Sequence, residues 1–336
     1  MTGTRLIISR AMMAVGADRM VAALSRPSLL IVNYHRLHAS ADRPRSRFDD
    51  GVFGPDVETF RRQVEWLKAA TTILDEKGVL SVLSGNDLPR GSLLSAITFD
   101  DGYIDCYTLA RPVLEELDVR GLFFLPVEML ESRRLGWWDI AAYLLKKTRH
   151  EQLSLNDQTF DLSNDFRGSL KRVLALFKLE KAERTVGLLE QLSRACEVAL
   201  PGKDEQSAEL LSWKQVREMK SAGHGVGSHS LSHRVLSTLE RAAQAHEIRE
   251  SKRELEAIIG SKISSFAYPV GGRAHYNADS VELTRQAGYS CAFTFNTGIA
   301  KIPVADPFQI PRESANSLEE LKAKMCLPGV MGLHDG

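Results

Sequence analysis

The sequence predicts a parallel α/β fold, either a barrel or a doubly wound sheet. Short apolar runs rich in β-branched and aromatic residues recur along the chain, and most are followed by a segment whose apolar residues repeat with a helical period. The runs are apolar throughout instead of alternating with polar residues, the pattern of strands covered on both faces. With 336 residues the chain is one large domain or two smaller ones, and either can bury a sizeable core.

Residues 1–28 have an amphipathic helical pattern. Arg10, Asp18, Arg19 and Arg26 interrupt its apolar stretches before a signal-peptide core or a spanning segment of roughly 20 apolar residues is complete. We expect a cytoplasmic protein with this helix packed on its own domain; peripheral docking on a membrane surface is the alternative. The first strand is "SLLIVNY", and the helical "VETFRRQVEWLKAA" follows it. "SAITFD" precedes "YTLARPVLEEL", and "RGLFFLPV" adds another strand. Between about Trp137 and Leu211 the strand signal gives way to two amphipathic helical stretches, "WWDIAAYLLKKTR" and "FRGSLKRVLALFKLEKAERTVGLLEQLSRACEVAL", which predict a helical insertion over 137–211. The polar, turn-rich "PGKDEQSAE" that ends it reads as a mobile connection. The barrel pattern resumes with "GHGVGSH", "SSFAYP" and "CAFTF", the first two each leading into a helical segment. The expected organisation is therefore a barrel over 29–136 and 212–325, interrupted by the insertion and followed by a tail over 326–336.

Composition removes several classes of function. Lys+Arg and Asp+Glu both number 43, so no overall field draws the chain to nucleic acid or to anionic lipid. Cys106, Cys196, Cys291 and Cys326 are scattered without a C-x-x-C pair, which argues against a disulfide framework or a thiolate zinc site.

In a parallel α/β fold the functional groups stand beyond the carboxyl ends of the strands. By that rule His35, Asp100, Asp101, His229, Tyr268 and Pro269 all face one rim. His229 and His233 of "SHSLSH" are four residues apart, close enough for both imidazoles to reach one ion, and with one aspartate they make a two-histidine, one-carboxylate set. Such a set leaves coordination positions open, and a divalent cation there makes water acidic. If Asp101 is the ligand, the cation offsets the repulsion between adjacent carboxylates and leaves Asp100 free to act as a general base. Non-haem Fe(II) oxygenases use the same ligand types but have no role for the second aspartate.

"TFDDG", "SHSLSH" and "FAYP" resemble, in order and spacing, the NodB-homology polysaccharide deacetylases, carbohydrate esterase family four, over about Leu29 to Arg312. The resemblance implies a distorted (β/α) barrel of about seven parallel strands and metal-dependent removal of acyl groups from sugars. It makes Asp100 the catalytic base and Asp101, His229 and His233 the metal ligands, for Zn2+ most often and for Co2+, Ni2+ or Fe2+ in some members. "YHR" at 34–36, "WWD" at 137–139, "FAYPVGG" at 266–272 and "DPFQIPR" at 306–312 are similar to a subgroup that serves exopolysaccharide or glycolipid biosynthesis. The implied partner is an N-acylated amino sugar, polymeric or lipid-linked. A deformylase of a lipid-linked amino sugar and a non-catalytic sugar-binding relative are the alternatives.

The chain departs from the family pattern twice. No arginine stands two residues before Pro269, where the family usually places the one that orients the base; Arg312 is the better substitute and Arg273 the other. The general acid is expected to be His35, with His334 near the C-terminus as the second candidate. Tyr103, Trp138, Tyr268, Pro269 and Arg312 are the expected substrate contacts, the aromatic rings by stacking on the apolar face of a sugar. Trp137 and Trp138, about 100° apart if helical, are not expected to face one groove together. Asp139 is expected to cap a helix or to accept a substrate hydroxyl.

Overall fold

The structure is a computed structural model that describes residues 27–40, 46–85, 92–179 and 184–326. The N-terminal helix expected over 1–28 and the candidate acid His334 fall outside those residues, apart from the last two positions of the former.

β1 (Ser28–Tyr34) leads to a short pair, β2 (Arg36–His38) with β3 (Phe53–Asp56). α1 (Val57–Ala70), β4 (Thr72–Ile73), α2 (Glu76–Leu83) and β5 (Leu93–Phe99) follow. A π-helical turn runs into α3 (Arg111–Glu116), then β6 (Leu122–Leu125) and α4 (Val127–Ser132). The segment expected to be an insertion comprises α5 (Trp137–Lys147), β7 (Gln152–Leu155), β8 (Gln158–Asp161), α6 (Phe166–Leu179), α7 (Thr185–Cys196) and α8 (Lys203–Ser207). α9 (Trp213–Ser221), β9 (Gly225–Ser228), α10 (Arg241–Ile259), β10 (Ser265–Ala267), α11 (Ala278–Gln286), β11 (Cys291–Phe293), β12 (Ala300–Lys301) and α12 (Leu318–Cys326) complete the described chain.

The main sheet has the order β11-β10-β9-β6-β5-β1-β12, with β4 against the start of β5. Seven of these strands are parallel, as expected, and β12 alone runs antiparallel, against β1. The ring is completed by an irregular segment, Ile310 to Glu313, that bridges the two open sides: Ile310 pairs with Phe293 and Glu313 with Val32. The Ile310 N–H donates to the Ala292 carbonyl at 3.0 Å, and the Glu313 N–H to the Ile31 carbonyl at 2.8 Å.

Alternate residues of the strands meet inside the barrel. Leu29, Ile31, Leu94, Ala96, Leu122, Phe124, Cys291, Phe293 and Ile310 form one apolar cluster, and Val79 and Val82 of α2 pack into it. Their neighbours Leu30, Val32, Ile97, Phe99, Phe123 and Val226 belong to the larger core shared with the surrounding helices. Both faces are thus covered, which is why the runs are uniformly apolar. Gly227 belongs to this packing, because a Cβ there would sit 2.5 Å from the ring of Phe124.

The insertion departs from an all-helical reading. Residues 152–161 form an antiparallel hairpin whose two turn residues, Asn156 and Asp157, have φ of 49° and 57°. Such a turn matches the twist of the flanking strands. Leu153, Leu155 and Phe160 alternate inward, and the Asn-Asp dipeptide between alternating apolar residues was the available signal. The expected mobile connection is instead tied down. The Gln206 side chain is buried, donating to the Pro201 carbonyl at 2.8 Å and accepting from Leu135 N–H at 3.1 Å.

Candidate active site

β5 ends at Phe99, and the next four residues turn sharply. Asp101 and Gly102 both take left-handed backbone, with φ of 71° and 68°. Asp tolerates that region, and at the glycine a Cβ would lie 2.8 Å from Leu130 Cδ1. The turn sends neighbouring carboxylates to different partners: Asp100 faces Arg312 and Asn33, and Asp101 faces the histidines.

β9 delivers His229, and the loop after it returns His233 to the same point, with φ of 65° at Ser230 and 56° at His233. The fold of this loop is set from outside. Glu247, on α10 and buried, accepts from the N–H groups of Leu231 and Ser232 at 3.1 and 2.9 Å and from the Ser232 hydroxyl.

Asp101 Oδ1 lies 3.2 Å from His233 Nε2 and 3.5 Å from His229 Nε2. The candidate ligand atoms of the three buried residues all fall within 4.8 Å of one another. His229 Nδ1 is 2.8 Å from the Ala267 carbonyl, which only accepts, so Nδ1 carries the proton and Nε2 presents a lone pair. Burial, opposed by Asp100, lowers the pKa of this imidazole to about 4, so it is neutral near pH 7. Asp101 is buried too; burial raises its pKa, but the neighbouring histidines, His233 first, outweigh that and keep it below the usual carboxylate value. Its Oδ1 has no hydrogen-bond partner. A buried carboxylate oxygen facing an imidazole lone pair is electrostatically incomplete, and a divalent cation suits the donor set.

Asp100 is 1% exposed. Arg312 grips it with two bonds of 2.8 Å, Nη1 to Oδ1 and Nη2 to Oδ2, and Asn33 Nδ2 adds one to Oδ2 at 3.1 Å. Arg312 is fixed in turn by the carbonyl of Thr294 at 2.9 Å and by Asn33 Oδ1 at 2.8 Å. Burial raises the Asp100 pKa, but the Arg312 charge and hydrogen bonds outweigh it and hold the group far below the carboxylate range. His35 Nε2 stands 3.8 Å from Asp100 Oδ2, its side chain 26% exposed.

Asp100, Asp101, His229, His233 and His35 are therefore together, and several expected substrate contacts are not. Tyr103 and Tyr268 are both 0% exposed and Pro269 is buried. The Tyr268 hydroxyl donates to the Phe308 carbonyl at 3.1 Å, and its ring stacks on Tyr276, so its environment is core. The Tyr103 hydroxyl is taken up by Asp139 and Trp138. Arg312, at 2% exposure, faces Asp100; it suits the orienting role and not substrate contact, while Arg273 is exposed. Trp138, 6% exposed, rests on His233 with ring centroids 4.4 Å apart, whereas Trp137 stacks on Phe177. Asn33 and Glu247 were not among the candidates. Asn33 stands one residue before the end of an apolar strand, an inward polar position that marked it; Glu247 carried no local signal.

A parallel barrel with paired aspartates and a histidine pair at its strand ends is the arrangement that the sequence resemblance implies. Residues 89–292 match the polysaccharide deacetylase family over more than half of the chain, and the chain belongs to that family. It is similar to the Streptococcus pyogenes deacetylase PplD, solved in complex with acetate, at 20% identity over 90% of this chain and 99% of that one, with a TM-score of 0.58. IcaB from Ammonifex degensii is 18% identical over 90% of this chain and 98% of that one, with a TM-score of 0.57. At those identities the likeness is one of fold. "Putative polysaccharide deacetylase YxkH" of Bacillus subtilis (strain 168) is 23% identical over 154 residues, 45% of this chain and 54% of that protein. The chain thus spans about half the length of the curated relative it matches.

Proposed function

We propose that the protein is a metal-dependent N-deacetylase that hydrolyses the N-acyl amide of an amino sugar in a polysaccharide or a lipid-linked glycan. The observation that carries this reading is the convergence of Asp101, His229 and His233 within 4.8 Å, beside a second carboxylate held apart from them by Arg312. Asp101 Oδ1 and the two Nε2 atoms would hold a divalent metal, zinc by preference, with cobalt, nickel and iron as alternatives. Such an ion supplies Lewis acidity, polarising an acyl oxygen and making water a stronger acid. Acetyl as the acyl group is supported by the acetate in the similar PplD structure.

Asp100 is the proposed general base. Its Oδ2 is 4.0 Å from His229 Nε2, so it faces the place where water and substrate would meet the cluster. A carboxylate held below its usual pKa is ionised near neutral pH and is a weak base, suited to a proton that is already acidic. His35, 3.8 Å from Asp100 and partly exposed, would donate the proton that the departing amine needs. Of the aromatic contacts expected from the sequence, Trp138 remains as a wall of the site. The missing arginine of the third motif favours the non-catalytic reading; Arg312 meets Asp100 instead from the irregular segment that closes the ring, which supports turnover. A cytoplasmic location, with peripheral contact to a membrane where the glycan is lipid-linked, completes the proposal. Among the described residues no helix is long and apolar enough to cross a membrane.

The test is metal content measured together with acetate and formate release from a panel of N-acyl glycans and glycolipids, without oxygen or a 2-oxo acid. We expect acetate release by the metal-loaded protein. Asp100→Asn should keep its metal and lose about 100- to 10,000-fold in turnover, the worth of a general base. A loaded wild type that releases neither acid from any member of the panel would sink the proposal, and formate alone would establish the deformylase.

A further inference from the structure

The two imidazoles of the cluster are oriented by different means. His229 is tethered by its Nδ1–H to the Ala267 carbonyl, the usual way a ligating histidine is aimed. His233 has no such tether: its Nδ1 is buried without a hydrogen-bond partner. Its ring packs between His229, at 4.7 Å, and the indole of Trp138, at 4.4 Å and 52°. The orientation of His233 therefore depends on what holds Trp138.

Trp138 is held by a buried hydrogen-bonded chain. Its Nε1–H donates to the Tyr103 hydroxyl at 2.7 Å, and that hydroxyl donates to Asp139 Oδ2 at 2.6 Å. Asp139 Oδ1 accepts from the Asp49 N–H at 3.0 Å, so both carboxylate oxygens are engaged. Tyr103 and Asp139 are each 0% exposed, and the Arg36 guanidinium lies 4.5 Å over the Tyr103 ring. Asp139 thus reaches no substrate, and Gly136, not Asp139, caps α5. Hydrogen bonds in such a chain strengthen one another. Its far end, Asp139, belongs to the first turn of the segment that interrupts the barrel.

We propose that Asp139, acting through Tyr103 and Trp138, is the positioning residue that fixes the imidazole of His233 toward the metal. The insertion is then a working part of the site: its first residues substitute for the second-histidine tether that the barrel does not provide. This rests on the metal-site reading given above.

Cobalt(II) titration of the metal-free protein, read by the visible d–d absorption, tests it. Tyr103→Phe removes the hydroxyl that joins Asp139 to the indole and keeps the ring. We expect cobalt affinity to fall about 10- to 100-fold, the usual cost of losing an outer partner of a metal ligand, with a changed band. Asp139→Asn, which takes the carboxylate acceptor away from the Tyr103 hydroxyl, should act in the same direction. The double variant should be scarcely weaker than either single one, since both cut the same chain. Phe177→Leu, which loosens the Trp137 stack in the same insertion, should lower Tm and leave cobalt affinity and spectrum unchanged. Trp138→Phe keeps a ring on His233 without the donor and gives a second route to the same loss if Tyr103→Phe does not fold. Wild-type affinity and spectrum in the folded Tyr103→Phe or Trp138→Phe variant would overturn the inference. So would an equal loss of affinity in Phe177→Leu. A wild type that takes up no cobalt would overturn the metal-site reading itself.

Discussion

Asp100 and Asp101 are covalent neighbours in different electrostatic settings, and the left-handed backbone at Asp101 is what separates them. Asp100 depends on Arg312, whose planar fork meets both carboxylate oxygens. Lysine offers a point charge instead, so Arg312→Lys should keep the metal and lower kcat/KM by about 100-fold through misplacement of the base; an unchanged kcat/KM would refute the clamp. Arg312→Met goes further and leaves a buried carboxylate unpaired, which costs about 3–5 kcal/mol by urea denaturation. The paired aspartates and the histidine pair were legible in the sequence because their spacing is covalent. The burial of Tyr103, Tyr268 and Arg312 was not, since a residue type does not say which side of a strand end it occupies. Tyrosine serves a sugar face and a core equally well.

The loop from His229 to His233 is a scaffolded element. Glu247 accepts three hydrogen bonds from Leu231 and Ser232, which lie between the two histidines. Glu247→Ala removes the acceptors of both N–H groups and of the Ser232 hydroxyl, so the loop should loosen and zinc affinity should fall by about 10- to 100-fold against a chromogenic chelator. Retention of wild-type affinity would show that the histidines are fixed otherwise. The segment from Ile310 to Glu313 is the other element that pattern reading could not place. Its four residues complete the ring between β11 and β1, and this alone brings Arg312 to Asp100, 212 positions away in sequence. The connection around Gln206 looked mobile because it is polar, yet Leu210 pairs across to Tyr103 and the Arg36 guanidinium reaches Glu209 at 2.6 Å. Polar composition predicts exposure only where no buried partner waits.

Stability should follow both the metal and one histidine far from it. Zinc that binds only the folded chain adds about 2.7 kcal/mol at 100 times its Kd, so Tm should rise on loading and fall on chelation; a Tm indifferent to zinc would count against the site. His224, between the starts of β6 and β9, accepts from the Gly121 N–H through Nδ1 at 3.1 Å, and burial lowers its pKa to about 4. The unfolded chain, with a histidine pKa of about 6.5, takes up the proton first. The His224 contribution is therefore complete above pH 6.5 and is lost as pH falls toward 4. Between pH 7 and pH 5 this amounts to about 1–2 kcal/mol of unfolding free energy, and His224→Gln should lose that much less than wild type over the same interval. Equal losses would assign the pH dependence elsewhere. The sequence by itself determined the parallel α/β class, most of the barrel strands and the carboxylates and histidines at their ends, because two-sided burial and strand-end position are written in local pattern. Only the tertiary structure decided how the ring closes, which arginine holds Asp100, and that Trp138 packs on His233, because those contacts join residues that no local period relates.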